Sequence, residues 1–151
     1  MKRTTADSNL FIHAADPDSP HHASARKFFA DACIERDDHE FVLCELVLVE
    51  LYLLLRNAAV FAKPYSGRES AGYCLALKQN PMWRCVDYDP AVSAKLWQWA
   101  TTTKAGFRRI IDARLGLTLR HHGVSQLATV NTKDFQDFGF QRVWNPLSGS
   151  P

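Results

Sequence analysis

The chain has 151 residues, of which 46% are apolar and 23% charged, with a formal net charge of +2. That length and apolar share suit one folded domain with a sizeable core. The small net charge excludes a global basic field, so a polyanionic partner would have to meet a local basic patch.

In chain order, residues 3–7 ("RTTAD") read as a short strand, because threonine favours extended backbone, although the stretch lacks large apolar side chains. Residues 16–20 are a loop. Ser19 followed by Pro20 is a helix start, with the helix predicted to about residue 36. Residues 36–40 are a polar turn, residues 41–43 a buried strand, and residues 45–59 a helix apolar around nearly its whole circumference, hence an interior or interface helix. Ser66 and Glu69 form a capping box for a helix through residue 79. Residues 83–87 are a strand, and Asp89-Pro90 starts a helix to about residue 103. A helix over residues 109–122 stops at Gly123. Residues 125–130 are a strand, residues 131–139 a turn or short helix, and residues 140–144 a last strand.

Strands alternate with helices throughout, which predicts an α/β fold: a mostly parallel twisted sheet of about four to five strands with helices on both faces. The domain is expected over residues 1–144, with a flexible tail over residues 145–151. The four cysteines, at 33, 44, 74 and 85, form no C-x-x-C pair, which argues against structural zinc. The opening apolar run is too short for a signal peptide, and Glu45 and Glu50 interrupt the longest one before it could span a bilayer. The expected compartment is the cytoplasm, with reduced thiols.

The acids stand in unusual places. Asp112 lies on an apolar stripe with Leu115, Gly116 and Leu119, and Gly116 leaves room for a backbone or ligand to come close; as a bland alternative, Asp112 is a surface or capping acid. Glu50 is flanked at helical spacing by Leu46, Val47, Leu53 and Leu54, with no Lys or Arg within a turn. It needs a positive partner, a metal ion or a distant arginine, unless it sits at the helix edge. Glu45 points about 140° away from Glu50 and reads as a helix-start acid favoured by the dipole. Asp7, Ser8 and Asn9 follow the first strand, and Asn131 and Asp134 follow the "LATV" strand; each set reads alone as a turn or cap. Together they bring acids from four segments to the carboxyl edge of the sheet, where such folds bind ligands. Gathered carboxylates repel and resist ionising. A hard divalent ion, Mg²⁺ or Mn²⁺, relieves that. Arg108, Arg109, Arg114 and Lys133 flank the acids as phosphate contacts or, as a bland alternative, as solvated surface charges or ion pairs with neighbouring acids.

The order Asp7-Ser8-Asn9-x-x-Ile12, Glu50 in "LVLVELYLLL", Asp112 in "IIDARLGLTLRHHG" and then "LATVNTKDF" resembles the PIN-domain ribonucleases, and among them the VapC-type toxins of prokaryotic toxin–antitoxin pairs. The resemblance implies a Mg²⁺- or Mn²⁺-dependent endoribonuclease, dimeric, inhibited by a cognate antitoxin protein. Asp7, Glu50 and Asp112 match the family's three central acids and would hold the metal. Asp134 matches the following acid, and Ser8, Asn9 and Asn131 would support the site. Ser8 stands where threonine is commoner, and Asn131 makes one possible ligand neutral. The competing reading is a non-catalytic α/β domain, a decayed nuclease or a receiver-like module. A phosphatase with a strand-end nucleophile is disfavoured, because Asn9 stands where its second acid belongs.

Overall fold

The structure, a computed structural model, describes residues 1–32, 34 and 36–147. Five strands form one sheet, β1 (Lys2–Ala6), β2 (His39–Cys44), β3 (Trp83–Val86), β4 (Gln126–Ala128) and β5 (Arg142–Trp144), in the order β3-β2-β1-β4-β5. Every neighbouring pair is parallel. Six α-helices connect them: α1 (Ser8–Ala15), α2 (His22–Ala32), α3 (Glu45–Leu55), α4 (Gly67–Lys78), α5 (Ser93–Thr102) and α6 (Arg109–His121). Phe41 to Cys44 are all buried, and successive strand residues point to opposite faces, so both faces of the sheet are covered.

The central strand explains its own weak sequence signal. Thr4 and Thr5 of β1 are buried, and their hydroxyls are satisfied inside the sheet: Thr5 Oγ1 donates to the Val42 carbonyl at 2.6 Å, and Thr4 Oγ1 lies 3.0 Å from His39 Nε2. A strand covered on both faces tolerates these buried hydroxyls because each finds a partner within the sheet.

Several boundaries differ from expectation. Helix α1 directly follows β1, where only a turn is predicted, because Asp7 is its N-cap and accepts from the Ser8 amide at 2.8 Å. Helix α2 begins at His22, three residues after the Ser19 signal. Its predicted extension to residue 36 crosses positions 33 and 35, which lie outside the described residues. Helix α3 ends at Leu55 instead of residue 59, because Asn57 turns the chain and its Oδ1 accepts from Ala59 N. Asp89 and Pro90 open a 3₁₀ turn (Pro90–Val92) before α5 begins. The Ser66–Glu69 capping box forms at α4 as predicted. Gly123 ends α6 at φ 76°, a left-handed conformation that glycine adopts without strain. In the expected tail, Leu147 is buried in the core, so residues 145–147 are packed; residues 148–151 lie outside the described residues.

Candidate metal-dependent nuclease site

The site assembles at the carboxyl edge of the sheet, where the chain leaves β1 and β4. The Asp7 amide extends the ladder by donating to Ala128 O at 2.9 Å, so Asp7 and Thr129 sit side by side. Asp7 is 5% exposed. Its carboxylate accepts from Ser8 N at 2.8 Å, from Thr129 Oγ1 at 2.9 Å and, more weakly, from Asn9 Nδ2 at 3.5 Å. Asn9 also ties the two loops together, because its Oδ1 accepts from Val130 N at 3.2 Å.

Glu50 reaches the same place from α3, and Asp112 from the first turn of α6. Burial pushes the Asp7 carboxyl above its ordinary value, and the charge of Asp134 adds to that, against the lowering by its hydrogen bonds. Burial also raises Glu50, helped by Asp7 and Asp112, while the Ser8 hydroxyl opposes. Burial raises Asp112 as well, with Asp134 and Asp7 adding to it and Arg109 opposing. The four acids predicted from separate segments therefore feel one another.

Arg109 is the resident cation. Its Nε lies 3.2 Å from Asp112 Oδ2 and its Nη1 3.6 Å from Asp134 Oδ1, while Nη2 donates to the Asp134 carbonyl at 2.5 Å. Among the described residues neither Asp7 nor Glu50 has a Lys or Arg ion partner. Nor do any three His, Cys, Asp or Glu side chains among the described residues stand grouped around one ion position. The donor chemistry nevertheless fits a hard divalent cation: every acid offers oxygen, and two of them lack any cationic partner.

Other predicted residues fall as follows. Asn131 enters through its backbone, donating its amide to Thr129 Oγ1 at 3.0 Å and accepting from the Asp134 amide. Asp134 lies on a 3₁₀ helix (Thr132–Phe138). Arg108 and Lys133 are exposed; Arg114 is exposed too but stacks on the Tyr88 ring, 4.2 Å from its centroid. Arg109 faces inward to the acids instead of presenting a free phosphate contact. Glu45 lies apart, paired with Lys78 at 3.1 Å. His121 pairs with Asp89 and His122 with the Asp87 carbonyl, away from the acids. Sequence reasoning assigned no role to Thr129, the buried hydroxyl that joins Asp7, Asn9 and Asn131. Its signal was its place as the first residue of the T-x-N-x-x-D-F run.

Gly116 makes room for a side chain, not for a ligand. A Cβ there would stand 2.7 Å from the Phe138 ring. Phe138 ends the 3₁₀ helix that carries Asp134, so this contact seats one edge of the site on α6. Gly116→Ala is expected to cost about 1–3 kcal/mol by overpacking. Urea denaturation checks this; a variant as stable as the parent would mean that the ring yields freely.

A family model for the PIN domain matches residues 5–141. The chain belongs to the PIN-domain family. It is 43% identical over 142 residues to ribonuclease VapC24 of Mycobacterium tuberculosis, in both strain CDC 1551/Oshkosh and strain H37Rv, covering 94% of this chain and 95% of the relative. This places it with the VapC ribonucleases inside that family. Among solved structures, M. tuberculosis VapC20, a toxin that cleaves the sarcin–ricin loop, matches with a TM-score of 0.68 at 16% identity, over 91% of this chain and 95% of that one. FitAB bound to a DNA fragment matches with a TM-score of 0.62 at 16% identity, over 98% of both chains. FitAcB of Neisseria gonorrhoeae gives 0.60 at 18% identity, over 95% of this chain and 97% of that one. At those identities the solved structures bear on the fold alone.

Proposed function

We infer that this VapC-type PIN domain is the toxin of a toxin–antitoxin pair and an endoribonuclease that hydrolyses RNA phosphodiesters with Mg²⁺ or Mn²⁺. The observation that carries this reading is the acid cluster: Asp7, Glu50 and Asp112 come from three elements, and each carboxyl is raised by burial and by a neighbouring acid. A fold maintains such a cluster, which costs stability on its own, where a cation is to be bound.

Asp7, Glu50 and Asp112 would hold the ion. Bound there, a divalent ion supplies water of lowered pKa and offsets charge growing on the phosphate oxygens. Thr129 and the Ser8 amide fix the Asp7 carboxylate, leaving it little freedom to turn away. Asp134 stands at the edge of the cluster, where it and Asn131 would orient bound water. Arg108, Arg114 and Lys133 are exposed around the acids and would meet the RNA backbone.

The partners follow from the same reading. Val49 and Leu53, on the outer face of α3, are 54% and 62% exposed. That apolar face would be covered by a second copy of the chain in a homodimer. A cognate antitoxin protein is the second partner; FitAB, of the same fold, is a complex that binds DNA. Among the described residues no helix is long and apolar enough to cross a membrane, and the cytoplasm is the compartment where an RNA-cutting toxin would act.

The test is cleavage of RNA by purified protein with Mn²⁺ and with a chelator, beside Asp112→Asn. Asp112 is partly exposed, so the variant is expected to fold and to lose metal-dependent cleavage by a factor of about 100 or more. Full activity in Asp112→Asn would remove the reading. The Arg109–Asp112 ion pair is the feature that favours the rival, a non-catalytic acidic domain. No cleavage by the parent protein in any divalent metal would support that rival.

A further inference from the structure

We propose that Arg109 is a built-in counter-ion that clamps Asp112 and Asp134 in the metal-free protein and competes with the divalent ion for Asp112. The proposal rests on the metal-site reading above.

Three observations carry it. The guanidinium is largely withdrawn from solvent, its side chain 24% exposed, and spans two acids 22 positions apart in the chain. The bond from Nη2 to the Asp134 carbonyl anchors one end of the fork to backbone, so the arginine keeps its place when a carboxylate leaves. Nε is buried without an aligned acceptor, although Asp112 Oδ2 is only 3.2 Å away. A guanidinium built to hold Asp112 for good would direct that N–H at the carboxylate, since charge-assisted bidentate pairs are the strong ones. Here Asp112 is held by charge at 3.2 Å, whereas the Asp134 backbone is held by a direct, aligned hydrogen bond. Asp112 is therefore the partner that can be given up, and Asp7 and Glu50, which have no arginine, are where it would go.

The arrangement solves a problem that the acids pose without an ion. Without a cation, Asp112 and Asp134 repel, and the 3₁₀ helix that carries Asp134 would be pushed off α6. Arg109 neutralises that repulsion until an ion arrives, and so weakens the ion's net binding.

Mn²⁺ binding to the full-length protein is measured by calorimetry at fixed pH, beside melting curves in chelator, for the parent, Arg109→Gln and Arg109→Lys. Arg109→Gln is expected to bind Mn²⁺ about fivefold more tightly and to melt lower in chelator. Arg109→Lys keeps the charge but cannot fork across both acids, and is expected to melt lower in chelator like the glutamine variant while binding Mn²⁺ close to the parent. Weaker Mn²⁺ binding in Arg109→Gln would make Arg109 an aid to the ion and overturn the competition. Unchanged binding and melting in both variants would reduce the contact to surface charge and overturn it as well. A lysine variant identical to the parent would overturn the clamp. A parent protein that binds no Mn²⁺ would instead sink the metal-site reading, so the two failures are distinct.

Discussion

Asp7→Asn is expected to abolish metal-dependent RNA cleavage and at the same time to make the metal-free protein more stable. Asp7 is the most buried of the four acids, and among the described residues no Lys or Arg is paired with it. A carboxylate in that position is held against its own desolvation, which is what raises its pKa. Asparagine is nearly isosteric. Its Oδ1 still accepts from the Ser8 amide, while the Thr129 hydroxyl, which already accepts from the Asn131 amide, loses its carboxylate acceptor and must turn its hydrogen elsewhere. What disappears is the charge. Removing it is expected to stabilise the protein in chelator at pH 7 by about 1–2 kcal/mol, a rise in Tm of about 2–8 °C for a chain of this size. The stabilisation by Mn²⁺ should vanish in the same variant, because the ion loses an acid that has no substitute nearby. Melting curves with and without Mn²⁺ read both effects. A variant that melts below the parent in chelator would show that the carboxylate is held for structure, and that the stability given up at this site is not the signature of a binding function.

How much of this could be read from residues alone depends on the range of the interaction. The acids were legible because each violates a local rule: Glu50 and Asp112 stand on apolar helix faces, and Asp7 ends a buried strand. The parallel order of the sheet was legible from the alternation of strands and helices. Helix α1 was not, because Asp7-Ser8-Asn9 has the same chemistry as an Asx turn and as an N-cap, and only packing of Leu10, Phe11 and Ile12 into the core decides between them. The end of α3 was misplaced by Ala58 and Ala59, good helix formers that Asn57 overrules with a side-chain turn. For Arg109 the residues alone left open a phosphate contact and an ion pair with the neighbouring acids. Its link to Asp112 lies at i,i+3 and is local, but the contacts with Asp134 cross 25 positions and exist only once the last 3₁₀ helix docks on α6. Thr129 was missed for the same reason: its partner Asp7 is 122 residues away.

The same electrostatics predict opposite pH dependences with and without the ion. Asp7, Glu50 and Asp112 all have folded-state values above the ordinary 3.8 of Asp and 4.5 of Glu. The folded protein therefore holds protons that the unfolded chain has already released. This contribution to stability is full below the ordinary values and is lost as pH rises through the raised ones. In chelator, the acid cluster is thus expected to lower stability progressively from about pH 4 upward. His13 and His39 act against this, because burial lowers both from 6.5 and their contribution grows with pH up to that value. The informative quantity is therefore the difference between the parent and Asp7→Asn, in which the histidines cancel. That difference should widen with pH in favour of the variant. Mn²⁺ reverses the sign for the parent. The ion binds ionised carboxylates, so its stabilisation should be absent near pH 4 and grow across the window in which the cluster loses its protons. At an ion concentration a hundred times Kd it reaches about 2.7 kcal/mol. Chemical denaturation from pH 4 to 8, with chelator and with Mn²⁺, measures both curves. If the Mn²⁺ increment were flat across that range, the ion would not be seated on these three acids, because an ion held by carboxyls of raised pKa must displace their protons in this window.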